Sequence, residues 1–209
     1  ISTSLRSIHF KENNTKTHHM YMNNPLWLGN ASPYTNIIKV APGQVWELDL
    51  ETLNIERRNL WGNFRIDSSN ININEFKTKL ITSIKKVANT KQKTAIFLSG
   101  GLDSTCALGI LKDTNIDLTA YICDYGKEGG LVHDHDGFRK EAKMAIKTCE
   151  EWGVPYKVVK LDYSSVHHYH RMWLAHTHFP WVDRNRTAPR YALCKAASRD
   201  GCKVVLTGD

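Results

Sequence analysis

The six residues Ser99-Gly100-Gly101-Leu102-Asp103-Ser104 stand between two apolar segments of different periodicity, and that placement narrows the fold more than any other feature. Residues 94–98 form a short β-prone apolar run, and residues 104–111 read as helix. The alternation continues downstream. Residues 118–123 give a second buried strand, and Phe138, Ala142, Ala145, Ile146 and Cys149 share one face of a helix that Gly153 is placed to end, with Pro155 just beyond. Residues 156–161, 188–198 and 203–207 then read as strand, helix and strand. Strands joined through helices pair in parallel. The expected class is α/β, a doubly wound parallel sheet with right-handed crossovers, preceded by a short β-rich segment and binding its ligand at the strands' carboxyl ends.

Upstream, residues 1–66 carry strand and turn signals: Ser4 to Ile8, then Ile37 to Val40, then Pro42-Gly43, a pair suited to a type II turn. Trp46, Leu48 and Leu50 alternate with Glu47 and Asp49, the pattern of a strand with one buried face. Composition shifts to Ser and Asn at residues 67–74, and the domain boundary is placed there, with residues 67–209 as the second domain. Asn72 followed by Glu75 predicts a capped helix to about Ala88, with Phe76, Leu80, Ile84 and Val87 on its apolar face.

With 209 residues and 41% hydrophobic composition, the chain has material for one substantial core. No apolar run approaches the roughly 20 residues of a membrane-spanning helix, and no signal-peptide pattern opens the chain, so a cytoplasmic protein without a membrane partner is expected. The five cysteines are scattered without Cys-x-x-Cys spacing, and four lie in apolar stretches; buried free thiols are expected. A net charge of +7 would suit nucleic acid, but the basic residues are dispersed, and a solvated face or a small anionic ligand accounts for them equally well. Ile1 at the start and Asp209 directly after an apolar run read as cut ends of a longer polypeptide.

The run at 99–104 carries the chemistry. Its glycines let backbone N–H groups approach an anion, the following helix adds positive potential at its N-terminus, and Ser99 and Ser104 offer hydroxyls to phosphate oxygens. Asp103 would repel phosphate directly but would hold Mg²⁺ bound to pyrophosphate. The plain alternative is a glycine turn with Asp103 capping the helix. A Walker loop is excluded, because the Gly-Lys-Ser/Thr ending is missing.

His167, His168, His170, His176 and His178 fall within twelve residues, and His133-Asp134-His135-Asp136 lies upstream. No carboxylate or thiol accompanies the first group at ligand spacing, and the second reads as a solvated loop. Arg184, Arg186 and Arg190, near Asp183 and Pro189, would reach an acidic substrate; a solvated surface is the favoured reading.

Residues 97–104 resemble the signature of the ATP-pyrophosphatase (PP-loop) superfamily, and the wider chain resembles the synthetase region of glutamine-dependent asparagine synthetases. The run from Lys39 to Asp49 is similar to that family's linker strands, Ser2 to Ile8 to the last strand of its glutaminase domain, and Lys203 to Asp209 to the strand entering its Gly-x-Asp-Glu magnesium motif. Residues 126–136 depart from the pattern.

The resemblance implies an adenine nucleotide alpha hydrolase-like fold, ATP and Mg²⁺ as cofactors, and nucleotide contacts from Leu98, Ser99, Gly100, Gly101, Asp103, Ser104, Ile122, Thr207 and Gly208. Leu98 and Ile122 would flank adenine and ribose, and Asp103 would be catalytic through the metal. It implies adenylation of the aspartate β-carboxylate, then amide formation with ammonia from glutamine. Aspartate, glutamine or ammonia are the implied partners; a homodimer is allowed and nucleic acid is not expected. The glutaminase cysteine belongs at a mature N-terminus that this chain lacks, so the fragment alone is expected to be inactive. Asp124-Tyr125-Gly126 also resembles 7-cyano-7-deazaguanine synthase, which keeps a nucleobase- or tRNA-modifying enzyme as the alternative, beside an inactive nucleotide-binding homologue.

Overall fold

A computed structural model of the chain describes residues 30, 32, 34, 37–60, 72–88, 91–125, 135–177 and 187–208, without the side chains of 135–139, 163 and 177. The expected strand at 4–8, most of the departing stretch 126–136, and His133, Asp134, His178, Asp183, Arg184 and Arg186 lie outside the described residues. The chain divides into two units, Ile1–Asn70 with Thr177–Trp181, and Ile71–His176 with Val182–Asp209.

In the first unit, Gly43 has φ +75° and the Gln44 N–H donates to the Ala41 carbonyl at 3.1 Å, closing the turn that Pro42-Gly43 predicts. The turn feeds β1 (Gln44–Leu48), which pairs antiparallel with β2 (Ile55–Asn59). Trp46 lies under the Arg57 guanidinium at 4.3 Å. Residues 37–40, expected as strand, carry none.

The second unit opens with α1 (Ile73–Ala88). The Asn72 side-chain oxygen accepts from the N–H groups of Asn74 and Glu75, both at 3.1 Å, as the sequence predicts for a cap. The predicted apolar face is only partly used: Ile84 packs on the core, while Phe76 and Val87 are exposed. Then follow β3 (Thr94–Phe97), α2 (Leu102–Leu111), β4 (Leu118–Asp124), α3 (His135–Trp152), β5 (Tyr156–Lys160), α4 (Tyr163–Thr177), α5 (Thr187–Arg199) and β6 (Val204–Leu206). The strands form one parallel sheet in the order β5-β4-β3-β6.

Alternate residues of the strands serve opposite faces. Ile96, Leu98, Ala120 and Ile122 join Leu108, Leu111, Ala142, Ala145 and Cys149 of α2 and α3. Ala95, Phe97 and Tyr121 join Leu193 and Ala197 of α5. Because both faces are covered, β3 is buried at all four residues and reads as a continuous apolar run. This is the doubly wound arrangement expected from the alternating pattern.

Glycine ends two of the helices, at α3 as the sequence implies. At α3, Gly153 has φ +65°, the Val154 N–H reaches the Cys149 carbonyl at 2.9 Å, and the Gly153 N–H reaches Glu150. The same pair of bonds recurs at α5, from Cys202 to Ala197 and from Gly201 to Ser198. His135, read from sequence as loop, is the first residue of α3. All five cysteines are free, but the expectation that they are buried holds only for Cys149 and Cys202; Cys123 is half-buried, and Cys106 and Cys194 are exposed. Both exposed thiols sit on helices whose apolar stretches include outward positions, so local hydrophobicity misreports their burial.

Candidate functional site

The chain runs from β3 to β4 to β5 on one side, then returns to place β6 on the other side of β3. The strand order therefore reverses between β3 and β6, and their carboxyl ends mark the switch point where such sheets bind ligands. β3 leads into the run at 99–104, and β6 leads into Thr207 and Gly208. Ile96 pairs with Leu206, so these two segments leave the sheet side by side. Neighbouring strands lie about 4.8 Å apart, within reach of a single nucleotide.

Gly100 turns the loop with φ +79°, and a Cβ there would run into the Glu141 carbonyl of α3. Only glycine satisfies both conditions. Gly101 is the N-cap of α2 and supplies no side-chain hydrogen bond, so the first-turn N–H groups, which have no intrahelical acceptor, are left for another acceptor. Inside the loop, the Ser99 and Ser104 hydroxyl oxygens are 3.1 Å apart, the Gly101 N–H donates to Ser99 Oγ at 3.2 Å, and the Ser99 N–H donates to Ser104 Oγ at 3.3 Å. Gly208 packs on the start of α2: a Cβ there would lie 2.6 Å from the Ser104 nitrogen. Ser99, Gly100, Gly101, Asp103, Ser104, Thr207 and Gly208 thus come together at one place.

The other two expected contacts stand differently. Leu98 is 2% and Ile122 0% exposed, and both side chains belong to the core between the sheet and its helices. Asp103 is exposed in the first turn of α2, where its charge is favourable to the helix end. The contact that sequence reasoning missed is Glu141; the small Ala142 and Ala145 beside it let α3 approach, a signal available only once the helix is set against the loop. Cys123, at the end of β4, has its thiol pushed up to about 12 by burial, then by neighbouring Asp124, so it stays protonated near neutrality.

His167, His168, His170 and His176 lie on α4, with His176 against the Tyr191 ring of α5 at 5.7 Å and His167 and His168 lining an open groove with Arg171. Among the described residues no group of three or more His, Cys, Asp or Glu side chains is placed to hold a metal, and no helix is long and apolar enough to cross a membrane.

Comparison with known proteins bears on the same region. The asparagine synthase family model matches residues 75–209, from α1 through the loop to the end of β6. The chain belongs to the asparagine synthase family. Among curated relatives, amidase chyE of Penicillium rubens is 28% identical over 141 residues, 63% of this chain and 20% of the relative. The 7-cyano-7-deazaguanine synthase of Methanoregula boonei is 36% identical over 70 residues, 34% of this chain and 28% of the relative. The chain therefore spans under a third of the length of either.

Among solved structures, the U34-tRNA thiolase NcsA of Methanococcus maripaludis matches with 22% identity over 66% of this chain and 47% of that one, at a TM-score of 0.46. NMN synthetase of Francisella tularensis matches with 16% identity over 67% and 56%, also at 0.46. The family match at 75–209 supports ATP-dependent amide or carbon–nitrogen chemistry in general terms.

Proposed function

We propose that the domain adenylates a substrate carboxylate, the β-carboxylate of aspartate, as the first half of amide synthesis. The observation that carries this reading is the meeting of the 99–104 loop, the uncapped start of α2 and Gly208 at the switch point of the sheet. A carboxylate oxygen attacks the α-phosphorus of ATP, the bond to the bridging oxygen breaks, and pyrophosphate leaves. Ammonia, released from glutamine elsewhere in the complete protein, then attacks the acyl carbon, and AMP departs with the bonding electrons.

Charge builds on the leaving pyrophosphate, and on this reading the N–H groups at the start of α2 and the Ser99 hydroxyl are the donors that meet it. Fixed donors of this kind stabilise a developing charge without reorganising. Asp103 is the residue that would hold Mg²⁺, whose chemistry is to neutralise the pyrophosphate oxygens. An exposed single carboxylate fits that ion, which takes one or two carboxylates and fills its remaining positions with phosphate oxygens and water.

A second reading has one observation in its favour: the 36% identity to a 7-cyano-7-deazaguanine synthase over 70 residues. It keeps the nucleotide site and changes the carboxylate that is adenylated to one on a nucleobase. Pyrophosphate–ATP exchange separates the two. The complete protein should exchange label when aspartate is supplied and not with a nucleobase carboxylate. Exchange only with the nucleobase carboxylate would replace the first reading by the second, and exchange with neither would overturn both.

A further inference from the structure

We propose that the outer face of α4 is a binding site for the phosphate group of a small molecule, held by His167, His168 and Arg171 and separate from the nucleotide site. α4 follows β5, which lies at the opposite edge of the sheet from β6. Its inner face is buried at Val166 and His170, with Val166 packed against Leu161, Ala188 and Ala192. The other face carries Ser164, His167, His168, Arg171, Met172 and Ala175, which line an open groove of about 550 Å³. Residues three and four apart share one side of a helix, so the groove runs along α4 for roughly 16 Å. Pockets for small organic molecules span about 300–1,000 Å³.

The groove changes character along its length. His167, His168 and Arg171 supply cations at the end nearer β5, and Met172 and Ala175 continue it as an apolar stretch, which suits the head and body of a phosphorylated molecule. Among the described residues Arg171 makes no hydrogen bond or ion pair, so its guanidinium is uncommitted. The surrounding charge favours an anion: residues 163–199 contain six Lys and Arg against one Asp and so hold +5 of the chain's net +7. From α5, Tyr191 and Lys195 face Tyr169 and His176, and α5 carries no carboxylate. Cys123 and Tyr125 face α4 from the end of β4, and Asp124 between them alternates to the other side of the sheet. Asp162, just before α4, is taken up by the Ser164 hydroxyl at 2.9 Å and the Ser165 N–H at 2.7 Å. A guanidinium grips phosphate through two parallel bonds. Histidine is the residue type that gains its charge between pH 8 and 5, the range in which a phosphate monoester gains its second, so each favours the charged form of the other.

The test titrates sulfate calorimetrically into the complete protein with ATP bound, so that the nucleotide site is filled. Sulfate keeps its charge near neutrality, and any pH dependence then belongs to the protein. Sulfate should bind, weaken roughly tenfold from about pH 6 to about pH 8, and weaken roughly tenfold or more in Arg171→Gln. Replacing His167 and His168 together by Asn should abolish the pH dependence. Arg171→Lys keeps the charge without the planar fork and should lose only severalfold. Inorganic phosphate should follow sulfate, acetate should bind at least roughly tenfold more weakly for want of a second charge, and ATP affinity should be the same in every variant. No sulfate binding to the native protein, binding retained in Arg171→Gln, or acetate binding as tightly as sulfate would each overturn the inference. A matching loss of ATP affinity in Arg171→Gln would assign these cations to the nucleotide site and overturn the separate one. None of these results decides the adenylation reaction, which the exchange experiment tests by itself.

Discussion

Asp103 and Gly208 show how differently two residues at one switch point act. Asp103 is exposed and makes its contribution through charge, so Asp103→Asn preserves shape while removing what would hold Mg²⁺. In the complete protein, pyrophosphate exchange should fall by orders of magnitude while metal-free ATP affinity changes little. Near-normal exchange at ordinary Mg²⁺ would reduce Asp103 to a helix-end charge worth only about 0.3–1 kcal/mol. Gly208 acts by absence, since any Cβ there meets backbone atoms of Ser104 that cannot rotate away. Gly208→Ala should therefore displace the loop and weaken ATP binding, with calorimetry of ATP binding as the check. The thiols offer a simpler reading: in the native protein Cys106 and Cys194 should react with a maleimide, and Cys149 and Cys202 only after denaturation.

At the scale of elements, glycines with positive φ separate helix-ending from site-building roles. Gly201 has φ +81° with open space around it, so Gly201→Ala should cost only the backbone strain of about 1–2 kcal/mol. Gly100→Ala adds a collision with the Glu141 backbone to the same strain and should be the more destabilising of the two, as measured by denaturant unfolding midpoints.

Which elements were legible follows from which carry a periodic signal. The four sheet strands and α2, α3 and α5 are read from sequence to within a few residues at each end, because each buries a face whose spacing matches its geometry. β2 was not read: all five of its residues are exposed, so no alternation marks it. Nor does α4 carry a period that reads as helix, since its histidines and aromatics read only as a cluster. Its start was nevertheless written as Asp162 and Ser165, where the Asp162 carboxylate accepts from the Ser165 N–H at 2.7 Å and the Ser165 hydroxyl accepts from the Asp162 N–H. That bonding holds the Asp162 carboxyl below its usual range.

Across the larger unit, one polar contact ties strand to strand to helix. The buried Tyr121 hydroxyl of β4 donates to Asp200 at the end of α5 at 2.6 Å, and Lys157 of β5 bonds the other carboxylate oxygen at 2.6 Å. Lys157, and then Tyr121, lower the Asp200 pKa below its unfolded value. A lowered carboxyl pKa contributes stability above the unfolded value and loses it as pH falls through the folded one. Asp200→Asn should therefore flatten the loss of stability below about pH 4, measured by urea unfolding between neutral and acid pH. Tyr121 is shifted upward, chiefly by burial and then by Asp200, so it adds instability only on the alkaline side, above its ordinary range.

The sequence by itself determined the fold class, the strand that enters the loop, and the glycines at the Pro42-Gly43 turn and at the end of α3. These are local properties: a period of two or of 3.6, or a backbone angle that only one residue type adopts readily. Tertiary structure alone decided that β6 lies beside β3, which makes residues 99–104 and 207–208 one place although about a hundred positions separate them. It also turned Ser104 inward, set Glu141 against Gly100, and left Phe76 exposed where its helical face predicted burial. Each of these depends on which surfaces meet, and strand order and helix docking are settled by packing between segments distant in the chain, a term that no window of sequence contains.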